Sequence, residues 1–177
     1  MKKQNNKYRE LLLFALIAII YFFINNPLNH STDYEYGKVV YVVDGDTADV
    51  LIDNKKYRVR FIGMDTPEYN PRRNISDYYG KEAFEYSKQT LKNKHVYLEK
   101  DVSETDKYGR LLRYVWLELP KDSKKPTSDE IENQMFNEIL VRNGYARVKV
   151  YKPDVKYTKL LKEIEEDAKN NKVGLWK

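Results

Sequence analysis

The sequence predicts an α+β domain in which a small five-stranded barrel is joined by three helices and preceded by a short hydrophobic segment. Three observations lead to this fold class. From residue 36 onwards, short runs rich in β-branched residues alternate with tight turns. Three later segments repeat apolar residues at helical spacing. Two further strands lie among these helices without the regular strand–helix alternation that a parallel sheet requires.

Strands are predicted for five segments: residues 38–43, 47–52, 56–64, 95–99 and 111–119. Asp44-Gly45 and Asp53-Asn54 separate the first three strands, and both pairs favour tight turns, so these strands form a meander. Five short strands suit a Greek-key barrel of the OB type, which is a common platform for oligonucleotides.

Helices are predicted for three segments: residues 80–91, 136–143 and 157–168. Each carries its apolar residues on one face, as a helix that packs on a core does. Residues 120–130 are polar and are predicted to form a long loop. The folded domain is therefore expected to span residues 36–177, after a linker at residues 25–35.

The first 24 residues have the features of an export signal. Lys2, Lys3, Lys7 and Arg9 precede an unbroken apolar run at residues 11–24. As a helix this run would be about 21 Å long, shorter than the ~30 Å hydrocarbon core of a membrane. No small-x-small cleavage site follows, so a cleaved signal peptide and an uncleaved membrane anchor both remain open. Either one predicts an extracytoplasmic domain, secreted or anchored to the outer face of the cell membrane.

Composition excludes several classes of protein. The chain has no cysteine, which excludes a disulfide scaffold, a thiolate metal site and a lipid anchor on cysteine. Its only histidines are His30 and His95, and His30 lies in the predicted linker, so neither a two-histidine ribonuclease site nor a typical zinc site is expected. The net charge is +5, but +3 of it lies within residues 1–30. Phosphate binding by the domain must therefore come from individually placed residues.

Two carboxylates are expected to meet at the ends of neighbouring strands. Asp46 lies at the start of the second predicted strand and Asp65 at the end of the third, and these ends are adjacent in an antiparallel pair. Two carboxylates in contact repel unless a cation lies between them. Oxygen ligands favour Ca²⁺, Mg²⁺ or Mn²⁺, and the carbonyl of Thr66 is a plausible third ligand. The segment is not an EF-hand, because Lys55 occupies the position of the required glutamate.

Three charged residues accompany this pair. Arg60 and Arg110 have the guanidinium groups that bind phosphoryl oxygens, and Glu68 could take a proton from water. A metal, a base and two arginines form a phosphoryl-transfer site. Each segment alone is also compatible with an ordinary surface turn, so the prediction depends on their combination.

These motifs together resemble the staphylococcal nuclease (thermonuclease) family. The resemblance extends over residues 36–176 and rests on four segments: residues 43–47, 60–68, 105–110 and 137–144. It implies an OB-fold nuclease that cuts the 5′ P–O bond of DNA and RNA and leaves 3′-phosphate ends. It also implies one Ca²⁺ ion held by Asp46, Asp65 and the carbonyl of Thr66. We further expect a monomer that prefers single-stranded substrates.

The resemblance also assigns roles to the remaining site residues. Glu68 would be the general base, and Arg60 and Arg110 would stabilise the transition state. Lys107 and Tyr108 would bind a terminal phosphate. Tyr151 would stack near the bound nucleotide, although the stretch at residues 148–153 is one residue shorter than in the family's well-studied member and keeps a single tyrosine.

Two other classes of function each fit part of the sequence. A non-catalytic nucleic-acid-binding OB module would be expected to lack at least one of five residues, and this chain keeps them all: Asp46, Arg60, Asp65, Glu68 and Arg110. A membrane-anchored adaptor whose barrel binds peptides would explain the N-terminal segment but not the charged cluster. The nuclease is therefore the favoured hypothesis.

Overall fold

A five-stranded closed barrel forms the centre of the protein in the computed structural model, which describes residues 34–177. The strands are β1 (Tyr34–Asp44), β2 (Thr47–Ile52), β3 (Lys55–Phe61), β4 (Met64–Asp65), β5 (Tyr69–Asn70), β6 (Ile75–Ser76), β7 (His95–Glu99), β8 (Leu111–Trp116) and β9 (Arg147–Val148). The barrel order is β1-β2-β3-β8-β7, and every pair is antiparallel except β3–β8. This confirms the predicted α+β fold and the OB-type barrel.

The barrel interior is filled by β-branched and leucine side chains. Each strand contributes at least one residue that is no more than 1% exposed: Val39, Val50, Val59, Leu98 and Val115. The β2–β3 turn is made by Asp53 and Asn54, which both have positive φ, as a two-residue hairpin turn requires. The predicted meander and its second turn are therefore confirmed.

Within residues 34–177, four α-helices pack around the barrel where three were predicted. They are α1 (Gly80–Leu91), α2 (Ser128–Gln134), α3 (Phe136–Arg142) and α4 (Thr158–Asn170). The extra helix, α2, begins inside the segment that was predicted to be a loop. Thr127 and Glu130 form a capping box that starts it, and Ile131 packs against the core. The short helix has too few apolar residues to produce a visible periodicity.

The predicted third strand is divided in two by the structure. β3 ends at Phe61, and Gly63 adopts a φ of +80°, which turns the chain before β4. β4 pairs with β9 rather than with the barrel. Asp65 therefore lies on a separate short strand, and Asp46 lies one residue before β2.

The first strand begins at Tyr34, two residues before the domain boundary expected from the sequence. The predicted signal or anchor at residues 1–24 and most of the predicted linker lie outside the described residues. Within residues 34–177, no helix has the length and apolar character needed to cross a membrane.

Candidate active site

A buried arginine joins the two carboxylates that the sequence predicts to meet. Arg60, near the end of β3, forms ion pairs with both Asp46 and Asp65, and its Nη2 lies 2.5 Å from Asp65 Oδ1. Arg60 and Asp46 are only 7% and 6% exposed. Thr47 is the β2 partner of Arg60, so Asp46, one residue earlier, lies beside the end of β3.

Thr66 lies directly against Asp46. Its main-chain N–H and its hydroxyl donate hydrogen bonds to Asp46 Oδ2, at 2.9 and 3.1 Å. The approach requires a glycine at position 45, because a Cβ there would lie 2.6 Å from Thr66 Oγ1. Ser87 of α1 donates to the carbonyl oxygen of Gly45 at 2.6 Å. The β1–β2 turn, the Thr66 segment and α1 thus fix the carboxylates in place.

The donor atoms in this cluster fit an oxygen-coordinated divalent cation. Both carboxylates already converge on one positive group, the Arg60 guanidinium. Among residues 34–177, no set of three or more His, Cys, Asp and Glu side chains is arranged to hold a metal ion. Any further ligands would therefore be main-chain carbonyls or water, both of which Ca²⁺ accepts. Asp46, Asp65 and Thr66 stay the predicted ligands.

Glu68 lies in the loop between β4 and β5 and is the exposed residue of the segment that follows the buried Thr66. Its main-chain N–H donates to Asp77 Oδ2 at 3.2 Å. Gly80 allows α1 to pack against this loop, because a Cβ there would lie 2.6 Å from the Glu68 carbonyl oxygen. Partial burial raises the pKa of Glu68, and the charge of Asp44 raises it further against the attraction of Arg60. A raised pKa makes the carboxylate a better acceptor for a proton.

A cleft of about 470 Å³ contains the other predicted site residues, and we call it the Arg110 cleft. Arg60, Lys107, Tyr108, Arg110 and Tyr151 are among its lining residues. Tyr108 is 72% exposed, with Lys107 Nζ 5.0 Å and Arg110 Cζ 5.5 Å from its ring centroid. The structure therefore brings the three predicted substrate-binding residues together with both arginines.

Two carboxylates hold the walls of the Arg110 cleft. Asp106 accepts hydrogen bonds from Arg110 Nε at 2.6 Å and from the main-chain N–H of Tyr108 at 2.9 Å. Burial alone would raise the pKa of Asp106, but the hydrogen bonds from Arg110 and Tyr108 outweigh it and lower the pKa. Asp154 accepts from the main-chain N–H groups of residues 102–103 at 3.0 and 2.8 Å. Arg110 is thus held in a fixed orientation between two connected loops.

Sequence reasoning missed two charged residues of the site. Asp44, interpreted as a turn residue, accepts the Asp46 N–H at 3.1 Å, and burial raises its pKa despite the opposing charge of Arg60. Lys149 donates from Nζ to Asp65 Oδ2 at 2.9 Å. Lys149 reaches Asp65 because β9 pairs with β4. In the sequence, the shortened stretch at residues 148–153 was the feature that could have drawn attention to Lys149.

Comparison with known proteins identifies relatives with nuclease names. Residues 58–177 match the family model of staphylococcal nuclease homologues. The chain is 38% identical over 149 residues to Thermonuclease of Staphylococcus hyicus, covering 84% of this chain and 79% of that protein. It is 35% identical over 171 residues to Thermonuclease of Staphylococcus intermedius, covering 94% of each. Endonuclease YncB of Bacillus subtilis is 33% identical over 136 residues, which are 76% of this chain and 58% of that protein.

Proposed function

Given that the chain belongs to the staphylococcal nuclease family, we propose that it is a calcium-dependent nuclease that hydrolyses phosphodiester bonds of DNA and RNA. One observation supports this most directly. Arg60 pairs with both carboxylates of the candidate cation site and also lines the Arg110 cleft. A cation site and a phosphate-binding cleft therefore adjoin each other. The names of the relatives, Thermonuclease and Endonuclease, support the same class of reaction.

Charge stabilisation is the first part of the proposed mechanism. Asp46, Asp65 and the Thr66 carbonyl would hold a calcium ion, which supplies positive charge next to the phosphoryl oxygens when it is bound. Arg60 and Arg110 contact the same phosphate through guanidinium groups, which match phosphate geometry and stay charged at working pH.

Proton transfer is the second part. Glu68 accepts a proton from the attacking water, a role that its raised pKa supports. General base catalysis of this kind contributes about 10²–10⁴-fold to the rate. Family resemblance further suggests cleavage of the 5′ P–O bond, with 3′-phosphate products.

Substrate binding is assigned to the Arg110 cleft. Lys107 and Tyr108 would contact a terminal phosphate, while Tyr151, which is 41% exposed, offers a ring on which a base can stack. Each stacked base contributes about 1–3 kcal/mol, and stacking requires a base that is free of its duplex. This arrangement favours single-stranded DNA and RNA as substrates, and we propose that the protein acts as a monomer.

The same proposal places the domain outside the cytoplasm. It is supported by the basic residues and the apolar run within residues 1–24. Protease added to intact cells should degrade an anchored form, or nuclease activity should appear in the medium. Recovery of the whole protein from the soluble cytosolic fraction would contradict this location.

The experiment that tests the function measures cleavage of single-stranded DNA and RNA by the full chain as Ca²⁺ is added and then chelated. Activity should require Ca²⁺, disappear in excess chelator and return on re-addition. Asp46→Asn should abolish it, whereas Asp122→Asn, in the exposed loop before α2, should not. Cleavage that persists in excess chelator would contradict the metal assignment. Binding without cleavage under all conditions would favour the non-catalytic OB module.

A further inference from the structure

A second cleft adjoins the Arg60–Asp65 ion pair, next to the Arg110 cleft. It has a volume of about 360 Å³, and Asp65, Glu68, Asp77, Tyr78 and Arg147 are among its lining residues. We call it the Tyr78 cleft. Arg60 lines one cleft and Asp65 the other, and the two side chains lie 2.5 Å apart. The two clefts are therefore neighbours at the candidate catalytic cluster.

Tyr78 presents an exposed aromatic ring to this cleft. The residue is 67% exposed, and its ring centroid lies 5.9 Å from the ring centroid of Tyr79. Tyr79 stacks on Tyr145 at 5.6 Å, and Tyr145 stacks on Tyr86 at 4.5 Å. Tyr79 also has a φ of +66°, a strained conformation for a bulky residue that the surrounding packing must maintain. The exposed ring of Tyr78 thus contacts one end of a stacked set of three tyrosines, Tyr79, Tyr145 and Tyr86.

Arg147 provides a positive charge at the edge of the cleft. It is the cross-strand partner of Asp65 in the β4–β9 pair. Its guanidinium carbon lies 5.4 Å from the ring centroid of Trp176. No carboxylate in the described part of the chain forms a salt bridge with Arg147. Its hydrogen-bond donors are therefore available to a ligand in the cleft.

The chemistry of the lining selects the kind of ligand. Asp65, Glu68 and Asp77 make the floor of the cleft acidic, so a free phosphate would be repelled there. A nucleobase carries no negative charge, can stack on a tyrosine and can donate an N–H group to Asp77, the lining carboxylate that is used neither by the cation site nor by the proton transfer. A phosphate attached to that nucleoside could reach Arg147 at the edge. The lining therefore suits a nucleotide rather than an isolated anion.

From this arrangement we propose that the Tyr78 cleft binds the nucleotide across the scissile phosphate from the one in the Arg110 cleft. Tyr78 stacks on its base, and Arg147 contacts the next phosphate along the strand. The inference rests on the proposed nuclease function. Base stacking at this site is expected to contribute about 5- to 150-fold to kcat/KM.

The test uses the full chain and three dinucleotide substrates with a single cleavable phosphodiester. One substrate has both bases, and each of the others lacks the base on one side. Tyr78→Ala should lower kcat/KM about 5- to 150-fold on the complete substrate and on the substrate that keeps the base bound in the Tyr78 cleft. It should have no effect on the substrate that lacks this base. Tyr78→Phe, which keeps the ring, should cut all three as the parent does. Tyr36→Ala is the matched control, since Tyr36 is 53% exposed and stacks on His95 at 5.1 Å outside both clefts.

Arg147 is tested through the salt dependence of oligonucleotide binding. Arg147→Gln should reduce the slope of log affinity against log salt by about 0.7, the value for one lost contact to a single-stranded phosphate. Lys159→Gln, which removes a charge from a side chain that is 93% exposed, should leave the slope unchanged.

The outcomes separate this inference from the function on which it depends. If the parent cuts the dinucleotides but Tyr78→Ala has the same effect on all three, or none, the second subsite is refuted while the nuclease remains. An unchanged salt slope for Arg147→Gln would remove Arg147 from the site. If the parent cuts neither these dinucleotides nor single-stranded DNA in the presence of Ca²⁺, the proposed function fails and the inference fails with it.

Discussion

Asn137 offers a direct test of how the barrel is held closed behind the site. The side chain is fully buried on α3 and makes two hydrogen bonds. Its Oδ1 accepts the Val115 N–H from β8 at 2.8 Å, and its Nδ2 donates to the Ile62 carbonyl at 2.8 Å. Asn137→Ala leaves both main-chain groups buried without a partner. At about 1–3 kcal/mol for each group, the free energy of unfolding should fall by roughly 2–6 kcal/mol.

Urea denaturation followed by circular dichroism measures this change. Asn133→Ala is the matched control, because Asn133 also makes two hydrogen bonds, to Asp129 at 2.9 and 3.1 Å, but on the exposed surface of α2. The control should change the free energy of unfolding by less than about 0.5 kcal/mol. Equal losses for the two variants would refute the claim that Asn137 joins β8 to the segment after β3.

Three further predictions concern pH, loop position and arginine orientation. Burial raises the pKa of Glu138 to about 7 from 4.5, so the stability that its protonated form contributes is lost as the pH rises through this interval. As the pH rises from 4.5 to 8, the free energy of unfolding of Glu138→Gln, measured by urea denaturation, should therefore increase by up to about 3 kcal/mol relative to that of the parent. Gly80→Ala should displace the Glu68 loop and lower kcat, even though alanine is a better helix former than glycine. Unchanged turnover would contradict the close contact between α1 and the Glu68 loop. Asp106→Asn should release Arg110 and lower kcat about 10- to 100-fold in a cleavage assay, and an effect on stability alone would count against it.

Local sequence patterns were enough to predict the barrel. Runs of β-branched residues separated by Asp-containing turns marked β1 to β3. Apolar residues at helical spacing marked α1 at its observed bounds of residues 80–91. The parallel β3–β8 pair that closes the barrel could not be located, because its register depends on long-range packing. The helix α2 was missed because its signal is a capping box rather than an apolar face.

The candidate site was predictable as far as it depends on strand ends. Asp46 and Asp65 were expected to meet, and in the structure both pair with Arg60, even though Asp65 lies on a separate strand. Lys149 was missed because it reaches Asp65 only through the two-residue β4–β9 pair. Tyr78 was missed because sixteen tyrosines in one sequence give no indication of which ring is exposed beside the site.

The most direct test of the central claim is the effect of Glu68→Gln on turnover and on nucleotide affinity. Glutamine keeps the shape of the side chain but cannot accept the proton from water, so kcat with Ca²⁺ should fall by about 10²–10⁴-fold. Affinity for a nucleotide that is not hydrolysed should change little, because the base acts in the transition state. Glu85→Gln, on the surface of α1, is the control. A Glu68→Gln variant that cuts single-stranded DNA within a few-fold of the parent rate would contradict the assigned mechanism.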